Sequence, residues 1–104
     1  MSKKNAAELA EDILVVPFVE MEPHIKRGAV IVIDESLNLA EVGTLVANDD
    51  SVAIGELLSG GKLSKASHLE YEQWRQHKQF FKILIVQPFV LAQNYVNLTS
   101  PEPN

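Results

Sequence analysis

The sequence predicts a mainly β domain, on three observations. Ala29-Val-Ile-Val-Ile-Asp34 is a β-branched run of the kind that fills a buried strand. Two apolar runs, Gly43–Ala47 and Ser51–Leu58, flank Asn48-Asp49-Asp50, a polar break that reads as a hairpin turn. A second turn, Ser59-Gly60-Gly61-Lys62, follows at close spacing and leads into a short strand from Lys62 to Ala66; turns this close together favour an antiparallel meander.

The remaining elements follow in order. Ala6, Leu9, Ala10 and Ile13 recur at helical spacing, so residues 1–12 are expected to form an arm or a short helix. The β domain is expected over 13–98, opening with the apolar run Ile13–Phe18. Ser67-His-Leu-Glu70 has the pattern of a capping box, which allows one short helix near 67–78, with Leu69, Tyr71, Trp74 and His77 sharing part of its surface. Phe80–Leu91 is a strand that closes the sheet, with Pro88 marking an edge, a bulge or a strand end. The Pro-containing tail 99–104 is expected to be disordered.

At 104 residues the chain holds one domain. Its 46% hydrophobic and 22% charged content is that of a soluble globular protein. A net charge of −5 and scattered Lys and Arg, with only Lys3-Lys4 adjacent near the terminus, argue against direct nucleic-acid binding. The lack of cysteine removes disulfides, thiolate chemistry and Cys-based zinc sites. No apolar run approaches the ~20 residues that span a bilayer, and residues 2–12 are too acidic for a signal peptide, so the cytoplasm is the expected compartment.

The segment Val19-Glu-Met-Glu-Pro-His-Ile-Lys-Arg-Gly-Ala-Val-Ile-Val-Ile-Asp34 resembles the nucleophile segment of LexA/UmuD/phage-repressor-type Ser-Lys peptidase domains. Met21, Glu22, Pro23, Ile25, Gly28, Val30, Val32 and Asp34 fall in register with that family's pattern, and the likeness extends weakly to about residue 66. The resemblance implies a compact antiparallel β fold with Val30 and Val32 in its core. It also implies a degenerate site: Glu20 stands at the serine position and Gly55 at the lysine position, or Glu56 if the register slips by one. A serine activated by a neutral lysine needs both side chains. The chain is therefore expected to be no enzyme, with no cofactor and no metal.

What remains is an interaction module. Tyr71, Trp74, Phe89, Val90 and Leu91 are the interface candidates, because aromatic residues dominate binding hot spots and the family's last strand contributes to dimerisation. Tyr71 and Trp74 are read first as anchors of a local core against the sheet and only second as interface anchors. The resemblance implies a homodimer, a LexA-like or phage repressor as partner in a stress-response or phage setting, or a translesion DNA polymerase served in the manner of UmuD. A third reading builds a new acid/base or metal site from Glu20, Glu22, His24 and Glu56.

Overall fold

Among the described residues, five helices and the five strands of one sheet follow in the order α1 (Ala6–Ala10), β1 (Leu14–Pro17), α2 (Phe18–Lys26), β2 (Val30–Ile33), α3 (Leu39–Ala47), α4 (Ser51–Ser59), β3 (Leu63–Lys65), α5 (His68–His77), β4 (Phe80–Val86) and β5 (Phe89–Asn94). The structure, a computed structural model, describes residues 5–95. The mainly β expectation is overturned. The fold is mixed α/β, with a sheet in the order β1-β4-β5-β2-β3. β2 and β5 pair in parallel, Val30 against Val90 through Val32 against Ala92, and the other pairs are antiparallel.

The correction falls on two segments. Gly43–Ala47 and Ser51–Leu58 are not strands of a meander but lie within α3 and α4. Leu39, Val42, Gly43 and Val46 repeat at i, i+3, i+4 and i+7, one helical face, and the first three are buried. Asn38 caps α3 by accepting from the Glu41 N–H, and Asp50 caps α4 by accepting from the Ala53 N–H. The break at 48–50 is real, but it separates two helices. There Asp49 takes a left-handed φ of 57°, a conformation that Asp tolerates.

Of the other segments, the two expected helices match their reading, and two further segments do not. Asn5 and Glu8 form a capping box that starts α1, and Ser67 and Glu70 form one that starts α5. Phe18–Lys26, expected to carry a nucleophile turn, is helical in spite of Pro23, and Gly28 at φ 71° lets the chain turn from it into β2. The single strand expected over 80–91 is a hairpin. Gln87 and Pro88, joined by a cis peptide, turn β4 into β5. The tail over 99–104 and the arm's first four residues lie outside the described residues.

Strand alternation splits the core into two layers. Val16, Val30, Phe81, Ile83, Val90 and Ala92 face α2 and α5, which bring Phe18, Met21 and Trp74. Ile33, Leu63, Leu84 and Leu91 face α1 and α3, which bring Leu9, Leu39, Ala40 and Val42. Val32 is half-buried against the first layer. β5 runs through the middle, with Val90, Leu91, Ala92 and Gln93 all buried. Gln93 is the buried polar residue of the core, and its amide donates to the carbonyls of Asp34 (3.0 Å) and Leu37 (2.7 Å), fixing the turn between β2 and α3.

Gly43 is where α3 meets the sheet. A Cβ placed there would lie 2.4 Å from Leu84 Cδ2 and 3.4 Å from Leu9 Cδ1, and Leu84 is fully buried with little room to yield. Gly43→Val is expected to destabilise the domain by about 1–3 kcal/mol through overpacking, whereas Gly55→Ala, in α4 with nothing near its Cβ, should gain up to ~1 kcal/mol of helix propensity. Urea denaturation of both variants checks the pair; a Gly43→Val variant as stable as wild type would show the close contact to be wrongly placed. Gln93→Leu strands two carbonyls and is expected to cost about 1–3 kcal/mol in the same assay.

Candidate interaction surface

α4 is apolar in composition, with Val52, Ala53, Ile54, Leu57 and Leu58 among its nine residues, yet none of the nine is buried. Ile54 and Leu57 pack against the second core layer. Val52, 73% exposed, and Leu58, 53% exposed, turn away from it. With Gly55 between them they occupy positions i, i+3 and i+6, a row that winds about 120° around the helix with Gly55 at its centre.

Beside this row a half-open cavity of about 500 Å³ separates α4 from the sheet. Ile31, Leu63, Phe89 and Leu91 form its floor, Ile54, Gly55 and Leu58 one wall, and Asp49, Ser51 and Lys65 its polar rim. Phe89 is 37% exposed at the start of β5, next to the hairpin turn. Lys65 donates from Nζ to the Gly28 carbonyl (2.6 Å), which holds its stem along the rim.

The interface candidates separate accordingly. Phe89 lines the cavity. Val90 and Leu91 are strand core, although Leu91 closes the cavity floor from below. Trp74 is buried and stacks edge-on against Phe81 at 4.8 Å; Tyr71 is half-buried and stacks edge-on against Phe18 at 5.3 Å, with its hydroxyl donating to the Glu22 carboxylate. Both aromatics therefore anchor α5 to the sheet. Leu69 and His77, placed with them on one helical surface, are exposed.

The positions read as a vanished catalytic pair are not brought together. Glu20 is exposed on α2, which covers the first core layer, while Gly55 and the exposed Glu56 lie on α4 beside the second, across the sheet. Of the third set, Glu20, Glu22 and His24 share α2 while Glu56 lies on α4; Tyr71 donates to the Glu22 carboxylate, and the His24 ring meets the Arg27 guanidinium. No group of three His, Asp or Glu placed to hold a metal occurs among the described residues. Val52, Ile54 and Leu58 were missed, because a strand reading of 51–58 sends alternate residues to opposite faces, whereas the capping Asp50 and the i, i+3 spacing put Val52 and Leu58 in one row.

Fold and surface together define a three-layer α/β/α domain with an apolar cavity under one helix. The chain belongs to a family of proteins of unknown function, DUF2288, whose pattern matches residues 4–94. It is also similar to PA1075 from Pseudomonas aeruginosa, known from an NMR solution structure, at 28% identity and a TM-score of 0.78 over 92% of this chain and 89% of that one. No curated protein matches it. Among the described residues no helix is long and apolar enough to cross a membrane.

The Tyr71–Glu22 bond sets a pH dependence. Its hydrogen bond to the carboxylate, then desolvation and the negative charge of Glu22, hold the Tyr71 hydroxyl above its ordinary value of 10.0. A pKa raised on folding favours the neutral phenol, so the stabilisation is complete below about pH 10 and is lost as pH rises through the folded value. The stability difference between wild type and Tyr71→Phe is expected to shrink above pH 10, measured by denaturant titration; a difference constant across that range would mean the bond is not made.

Proposed function

We propose that this protein is a cytoplasmic binding module without catalytic activity, and that it docks a protein partner on α4 and the cavity beside it. The carrying observation is the mismatch in α4, an apolar nine-residue helix with no buried residue. Helices of soluble domains earn their stability by burying an apolar stripe, and one that leaves large apolar side chains in solvent marks a contact surface. A cavity bordered by Phe89 and Leu58 offers the kind of pocket that an anchoring side chain fills.

The reading keeps the interaction role expected from sequence but changes what supports it. A repressor or a translesion polymerase as partner follows from the resemblance carried by residues 19–34 and extending weakly to about 66, a span in which the chain has three helices and two strands. The surface itself favours an apolar partner face and no particular pathway. The degenerate positions Glu20 and Gly55 have no shared role in it; Gly55 belongs to the docking face and Glu20 does not.

Site-specific photo-cross-linking in the living host is the test. A photoreactive residue at position 52 is expected to form protein adducts, and one at Leu69, an equally exposed apolar site on α5, is expected to form none. Adducts at 69 and not at 52 would move the docking surface to the other side of the sheet and sink the proposal.

A further inference from the structure

We infer that the face on α4 is covered by a second copy of this chain, in an antiparallel helix pair whose two-fold axis passes through Gly55. The inference rests on the docking reading above and names its partner. Gly55 is the midpoint of Ser51–Ser59, with Val52 three residues before it and Leu58 three after. A two-fold axis at the midpoint brings each Val52 level with the partner's Leu58, the two flanking a contact in which the glycines are face to face. The row is thus complementary to itself, a large side chain at each end and a gap between, which is what an isologous contact requires.

Gly55 supports close approach on separate grounds. Its backbone is helical and no atom comes within 4 Å of where its Cβ would be, so neither conformation nor packing inside the monomer calls for glycine. Glycine in a helix interior costs about 1 kcal/mol relative to alanine. A second helix laid across this point uses the space that the missing Cβ leaves.

Charge selects the direction. Asp49 and Asp50 are exposed at the N-terminal end of α4, whereas Lys62 lies just beyond its C-terminal end. Parallel helices would bring four carboxylates together. Antiparallel pairing about Gly55 carries Asp49 and Asp50 towards the partner's Gly60, Gly61 and Lys62, and opposes the two helix dipoles. Lys62, its side chain 44% exposed and its ammonium beside Asp34 (3.7 Å) and Ser36 (3.4 Å), has one donor left for a further acceptor. The partner's Val52 then sits against Leu58 at the mouth of the cavity.

The natural chain contains no cysteine, so a single introduced thiol reports one contact. The intact chain is expected to show a monomer–dimer equilibrium with a Kd of about 1–100 μM by sedimentation, as suits a small face. Gly55→Cys should cross-link to itself on oxidation, since a disulfide needs Cα atoms within about 7 Å, while Leu69→Cys should not. Leu58→Glu, at an exposed position, should keep its circular dichroism and raise the Kd about 100-fold or more. Self-pairing is overturned by a wild type that stays monomeric at about 500 μM, five times the weakest Kd expected. It is equally overturned by a dimer that Leu58→Glu leaves intact and Gly55→Cys does not trap. A monomer whose position-52 probe labels a different protein overturns self-pairing alone. A monomer with no adduct at position 52 overturns the docking surface as well.

Discussion

The separation between α3 and the sheet, set by Gly43 against Leu84, is the constraint on which the second half of the fold depends. Leu84 belongs to β4, next to the central strand, and has no exposed surface. With α3 pressed this close, Leu39, Ala40 and Val42 complete the layer over Leu84 and Leu91, and Leu9 of α1 closes the same contact from the side. Gln93 fixes the approach of the chain to that helix by holding the carbonyls of Asp34 and Leu37. Everything from the end of β2 to the start of β3 is hung from this seat.

α4 pays for the arrangement. Because α3 occupies the sheet directly, the next helix is left at the periphery, where only Ile54 and Leu57 reach the core. The two helical glycines make opposite use of a missing side chain: Gly43 admits the molecule's own strand, and Gly55 faces open space. A helix with so little buried surface belongs to the low-stability end of a domain, the part from which binding elements are usually drawn.

Several elements were legible in the sequence for physical reasons that survive inspection. The capping box at Ser67 and the helical spacing of Ala6, Leu9 and Ala10 are local signals and need no tertiary context. β2 and β3 were found from β-branched content and the Gly60-Gly61 turn. The error at 39–59 has an equally local cause. Val42 to Val46 and Val52 to Leu58 are dense enough in apolar residues to satisfy either period, and the capping signals at Asn38 and Asp50 decide between them. The parallel pairing of β2 with β5 leaves no mark in either strand. Of the interface candidates, Phe89 reaches the cavity rim because it opens a strand beside a turn, and Trp74 is consumed by the core because α5 packs on Phe81.

The position of β5 bears on how the protein is made. It is the last of the five strands to leave the ribosome and the one that joins β4 to β2, so a nascent chain that ends before Phe89 holds two half-sheets and no centre. Its parallel partner lies sixty positions earlier, Val30 against Val90, and closing so wide a loop is slow compared with forming a hairpin. During synthesis the inner edges of β2 and β4 therefore stand unpaired, as sticky as any free strand edge, until the final stretch of the domain emerges and zips them together.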